Sequence, residues 1–145
     1  MSDLPEHFHK NLAAQGFPPS FRLHNSYEFD RVFKTNRYRV SGPEFLVLAT
    51  ENLVNHCRLG MVIGKKTAGP AVQRNRVKRL IRESFRTHCH PMDDTPHLDI
   101  VIVARPGVSK KNNEHLTSVL SKCWATLFHK ATATATAYAS THAST

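Results

Sequence analysis

The chain has 145 residues, 40% of them hydrophobic, with 20 Lys and Arg against 11 Asp and Glu for a formal charge of +9. That size fits one domain with one core, since domains commonly run to about 100–150 residues. No stretch approaches the ~20 apolar residues of a membrane span, and the N-terminal MSDLPEHFHKNLAAQGFPPS carries acids, histidines and prolines where a secretory signal needs an apolar core.

Residues 1–20 lack apolar periodicity and hold Pro5, Pro18 and Pro19, so they read as a flexible arm. From Asn25, NSYEFDRVFKT offers a cap residue, Glu28 three positions on, and Phe29, Val32 and Phe33 at i, i+3, i+4, the pattern of a short amphipathic helix. RYRVSGPEFLVLAT is rich in branched and aromatic residues and is interrupted by Gly42-Pro43, as two strand pieces or one bent strand would be. A further strand is expected over Cys57 to Ile63. AVQRNRVKRLIRESFR, Ala71 to Arg86, has no Gly or Pro after Pro70 and predicts a helix of about four turns, with Pro70 suited to its first turn. Ile100 to Ala104 is a continuous apolar run bounded by turn residues, hence a buried strand. Leu116, Leu120, Cys123, Trp124 and Leu127 then form one stripe of a final helix. The tail ATATATAYASTHAST has no charged side chain and little bulk, so residues 131–145 are expected to be disordered. The order α-β-β-β-α-β-α predicts an α+β domain with a mixed sheet covered by helices.

The charge is concentrated. Arg58 to Arg86 holds nine cations and one acid, Glu83. At about 100° per residue from Arg74, Lys78, Arg82, Asn75, Arg86 and Arg79 all fall within roughly 140° on one side, while Val77, Leu80, Ile81 and Phe85 form an apolar arc. Arg76 stands apart at about 200°, near Glu83. With one acid in reach, i+4 pairing cannot neutralise this row, and a polyanion is the natural partner. A merely solvated basic face is the plainer alternative. Lys65 and Lys66 add donors beside the helix start. GMVIGKKT is not a nucleotide-binding phosphate loop, because three residues rather than four separate Gly60 and Gly64 and Lys66 stands where a hydroxyl belongs.

Phe29 and Phe33, with Arg31 and Lys34 beside them, could stack on unpaired bases or could both be core. His88-Cys89-His90 lacks a second ligand pair, and histidines at a helix end favour its dipole. Asp93-Asp94 has no partner motif, and no nucleophile has a recognisable base nearby. Cys57, Cys89 and Cys123 are odd in number, far apart and without a CxxC pair, so reduced thiols in a cytoplasmic protein are expected.

RLGMVIGKK, AVQRNRVKRLIRESFR with its Arg74-Asn75-Arg76 core, DIVIVARPG and FRLHNSYEFDRVFK together resemble the protein subunit of bacterial ribonuclease P, in that family's order and spacing over residues 21–130. The resemblance implies an α/β sandwich in which the basic helix crosses the sheet by a left-handed βαβ connection. It implies that the catalyst is a partner RNA, which with Mg2+ bound mainly by that RNA removes the 5′ leader of precursor tRNA, without an obligate protein partner. Arg74, Asn75, Arg76, Lys78, Arg79 and Arg82 match the signature helix that contacts the catalytic RNA, with Lys65 and Lys66 extending the same path. Phe29 and Phe33 match the aromatics of the leader-binding cleft. A DNA-binding regulator with a zipper-type basic region is the alternative, although Pro91 and Pro96 interrupt any heptads. A ribosomal or RNA-chaperone protein is another.

Overall fold

Helix α1 spans Ser26–Thr35 in the computed structural model, which describes residues 19–89 and 96–143, with side chains as far as position 134. The expected arm before residue 19, and His90, Pro91, Asp93 and Asp94, lie outside the described residues. The Asn25 side chain caps α1 by accepting from the Glu28 N–H at 3.0 Å. Glu28 reaches back to accept from the His24 N–H at 2.5 Å, a capping box displaced one residue upstream.

Gly42 and Pro43 turn the chain between β1 (Tyr38–Ser41) and β2 (Phe45–Glu51), so the two-strand reading holds. Strand β3 covers Arg58–Val62. A single helical turn not anticipated from sequence, α2 (Lys65–Ala68), follows it and ends where Gly69 adopts φ 79°, a conformation that suits glycine. The basic segment is α3, Ala71–His88. Strand β4, Leu98–Ala104, starts two residues before the apolar run suggested, because Asp99 lies within it. After a 3-10 turn at Val108–Lys110, α4 runs Asn113–Ala143.

The sheet order is β1-β2-β4-β3, with β1/β2 and β2/β4 antiparallel and β3/β4 parallel. Strand alternation sends Phe45, Val47, Ala49, Ile100 and Ile102 to one face, where they meet Val77, Ile81 and Phe85 of α3 and Leu116, Leu120, Trp124 and Leu127 of α4. Each fully buried side chain of this kind contributes about 1.5–3 kcal/mol of transfer free energy. Trp124 donates its Nε1–H to Ser84 Oγ at 2.7 Å and meets Phe85 edge-on. Leu48 and Val101 point to the opposite face, under Leu23, Val32 and the half-buried Phe29. With both faces covered, β4 reads as an unbroken apolar run. β3 is an edge strand, and the β1 edge receives the Lys130 ammonium on the Arg39 carbonyl at 2.8 Å.

The expected disorder after Lys130 is corrected, since α4 continues through Ala143. Ala131 is buried in the core, and Thr134 Oγ1 donates to the Lys130 carbonyl at 3.1 Å. Composition misled because an Ala-rich tail needs no apolar stripe when it extends a helix already nucleated. The three cysteines are buried and unbridged. Burial pushes the Cys57 thiol up to about 11 and that of Cys89 higher still.

Candidate nucleic-acid interface

The apolar arc of α3 packs inward, so its basic side faces out. Asn75 and Arg79 are exposed, while Arg74, Lys78 and Arg82 stand half-buried one turn apart. Lys65 and Lys66 continue this surface from α2, both exposed. Among the described residues, no side chain of Lys65, Lys66, Lys78, Arg79 or Arg82 makes a hydrogen bond or ion pair, and the buried Nε of Arg74 has no hydrogen-bond partner. Burial, followed by repulsion from Arg22 and Arg79, holds the Arg82 pKa below its usual value. Arg79 and Arg82 are thus held close together with no acid paired to either among the described residues, and an anion placed beside them would relieve the repulsion.

Lys78 and Arg82 lie at the β3 edge, where they line an open cavity with Arg22, Leu23, Phe29, Leu59, Gly60 and Met61. The Phe29 ring is laid on Gly60. A Cβ at that position would come within 2.6 Å of two ring carbons, so the close approach depends on glycine. Phe33, one turn along α1, is 43% exposed and outside the cavity lining. The core reading therefore fails for Phe33 and holds in part for Phe29.

Arg76 is not brought together with this row. Its guanidinium donates to Gln73 Oε1 at 3.0 Å, Asn113 Oδ1 at 2.5 Å and the carbonyls of Ser109 and Lys111 at 3.0 and 3.1 Å, clamping the start of α4 to α3. Arg86 is likewise occupied, by Glu83. His88 closes the end of α3 through contacts of its Nδ1 with the Ser84 carbonyl and its Nε2 with Ser121 Oγ.

A second polar cluster lies beneath α1. Asp99 is fully buried, and its carboxylate accepts two bonds from Arg58 at 2.8 Å, one from Arg31 at 2.7 Å and one from Asn52 at 2.8 Å. Arg58 also pairs with Glu28 at 3.1 Å. Burial by itself raises the Asp99 pKa, but the bonds from Arg58, Asn52 and Arg31 prevail and hold it below the usual carboxylate value. Neither this network nor the roles of Arg22 and Gly60 was read from the sequence. The available signal was an Asp at the head of an apolar strand, since a buried carboxylate demands cations.

No group of three or more His, Cys, Asp or Glu side chains that could hold a metal occurs among the described residues, and no helix there is long and apolar enough to cross a membrane. The zipper alternative fails on geometry, because α3 buries one face in the core and ends at His88.

An unneutralised basic row running into an aromatic-floored cavity is the equipment of a nucleic-acid-binding protein. The family description Ribonuclease P matches residues 17–128. The ribonuclease P protein component of Pseudomonas aeruginosa is 42% identical over 113 residues, covering 78% of this chain and 82% of its own, and that of Proteus mirabilis is 42% identical over 108 residues, covering 74% and 87%. The solved RNase P protein of Staphylococcus aureus superposes with a TM-score of 0.65 at 30% identity over 74% of this chain and 97% of that one. The Thermotoga maritima protein gives 0.55 at 30% identity over 70% and 96%. The chain belongs to the ribonuclease P protein family.

Proposed function

We propose that the protein is the RNA-binding, non-catalytic subunit of ribonuclease P, which assists a partner RNA in removing the 5′ leader of precursor tRNA. The observation that carries this reading is the cavity at the β3 edge, where Phe29 meets Lys78, Arg82 and Arg22. Phosphates of the catalytic RNA follow Arg74, Lys78, Arg79 and Arg82 along α3, joined by Lys65 and Lys66, with Asn75 as an uncharged donor. Leader bases lie against Phe29 and the exposed Phe33, about 6 Å further along α1, while leader phosphates face the cavity cations. Arg76 serves this surface indirectly, by fixing α3 to α4.

Two polyanions must meet for cleavage, and the basic row lowers their repulsion. A surface this basic repels divalent cations, so Mg2+ would be held by the RNA phosphates and, when bound there, would supply Lewis-acid activation of water. The chain's own contribution is to hold the leader extended and to favour precursor over product.

Reconstitution tests the proposal. RNA-free protein should leave precursor tRNA intact, and protein with its cognate catalytic RNA should cleave it at low magnesium, where the RNA alone is slow. Phe29→Ala should cost about 1–3 kcal/mol of affinity for leader-bearing precursor and leave mature tRNA almost unaffected. Robust cleavage by RNA-free protein would overturn the non-catalytic role, and equal losses for both ligands would overturn the leader cleft.

A further inference from the structure

Helix α1 has a small apolar footing. Of its ten residues only Val32 is fully buried, and Phe29 is half-buried. Apolar contact is non-directional and leaves such a helix free to rotate or slide on the sheet. Directional restraint comes from charge. Glu28 and Arg31, one turn apart and on either side of Phe29 in sequence, are tied respectively to Arg58 of β3 and to Asp99 of β4. Arg58 in turn grips both carboxylate oxygens of Asp99, a forked geometry that fixes orientation as well as distance.

The sheet register places this network directly beside the aromatic contact. Arg58 pairs with Asp99 and Gly60 with Val101, so Arg58 and Gly60 are successive residues on one face of β3. The ions therefore hold α1 one strand step from where the Phe29 ring lies on Gly60.

We propose that the Asp99-centred network sets the pose of Phe29 over Gly60, which makes Arg31 and Arg58 positioning residues for recognition of the single-stranded leader. The inference rests on the leader-cleft reading above. Arg31 is absent from the lining of the cavity that Phe29 floors, and its bond runs inward to Asp99, so its influence on the Phe29 pose passes through α1.

The experiment is a double-mutant cycle in the reconstituted holoenzyme, with Arg31→Gln, Phe29→Ala and the pair, reading affinities for precursor and mature tRNA. Arg31 is chosen because its side chain is 32% exposed and its loss leaves the Arg58–Asp99 pair in place. Arg31→Gln should weaken precursor binding about three- to tenfold, in the lower part of the range of couplings between neighbouring groups, with mature tRNA and the catalytic RNA bound as before. Arg31→Lys, which keeps the cation but not the fork, should fall between, and it carries the test if Arg31→Gln does not fold. In the Phe29→Ala background the Arg31 substitution should cost nothing further.

An undiminished precursor-to-mature ratio in Arg31→Gln, a parallel loss for both ligands, or a full additional loss on top of Phe29→Ala would each overturn the inference. If Phe29→Ala lowers the ratio and Arg31→Gln does not, only the positioning role falls. If Phe29→Ala itself leaves the ratio unchanged, the leader cleft falls and takes the inference with it.

Discussion

Gly60 carries no Cβ, and the Phe29 ring occupies the space where one would stand, with Leu23 Cδ1 only 3.1 Å away. Sequence shows a glycine in a strand; it does not show which side chain fills the gap. Gly60→Ala should push the ring off the strand at a cost of about 1–3 kcal/mol, the usual range for overpacking, because the obstructing atoms are the far end of one side chain. Leader discrimination should fall further than stability. Melting curves and the precursor-to-mature affinity ratio measure the two effects, and a variant that keeps full discrimination would show that the ring need not lie on Gly60. Phe33 illustrates the opposite difficulty. Its helical spacing fits a core residue equally well, and only the 43% exposure separates the two readings.

Helix α3 has two jobs on one element. Its inward arc builds the core, its outward cations Lys78, Arg79 and Arg82 are left without acids among the described residues, and the signature residue Arg76 belongs to neither, because four donor contacts hold it at the α4 junction. Lys78→Ala or Arg82→Ala should therefore flatten the salt dependence of RNA binding by somewhat under about one unit of slope each and leave the fold in place. Arg76→Ala should do the reverse, lowering stability by about 1–3 kcal/mol by orphaning its partners with little change of slope. Titrations of binding against salt, set beside thermal melts, distinguish the two, and an Arg76→Ala slope as flat as that of Lys78→Ala would return Arg76 to the RNA surface. Helix α4 teaches a related lesson. Low-complexity composition argued for disorder, whereas a buried Ala131 and a helix already formed upstream carried the structure onward.

Across the whole molecule, Asp99 joins α1, β3, β4 and the loop after β2 through one carboxylate. Its folded-state pKa lies below its ordinary value of 3.8, with burial opposing and the bonds from Arg58, Asn52 and Arg31 prevailing. Unfolding in acid therefore takes up a proton, so the stability contributed by this group is full above about pH 4 and is lost as pH falls through the folded value. Melting temperatures measured from about pH 5 down to about pH 2 should show a steep acid limb in the native protein and a shallower one in Asp99→Asn, which starts from lower stability. Identical acid limbs would mean that other carboxylates control acid unfolding.

Local sequence determined the elements and the chemistry of the partner. Residue spacing gave α1, α3 and the buried β4 because amphipathic periodicity is a property of neighbours along the chain, and nine cations against one acid in a single segment already called for a polyanion. Quoted motifs also carried the family. Tertiary structure alone decided which charges are free and which are occupied, because pairing depends on groups distant in sequence: Asp99 lies 68 residues from Arg31, and Asn113 lies 37 from Arg76. It also decided that Phe29 from one face of the sheet and Lys78 and Arg82 from the other meet at the β3 edge. Strand order sets that meeting, and strand order follows from the packing of the whole core rather than from any local pattern.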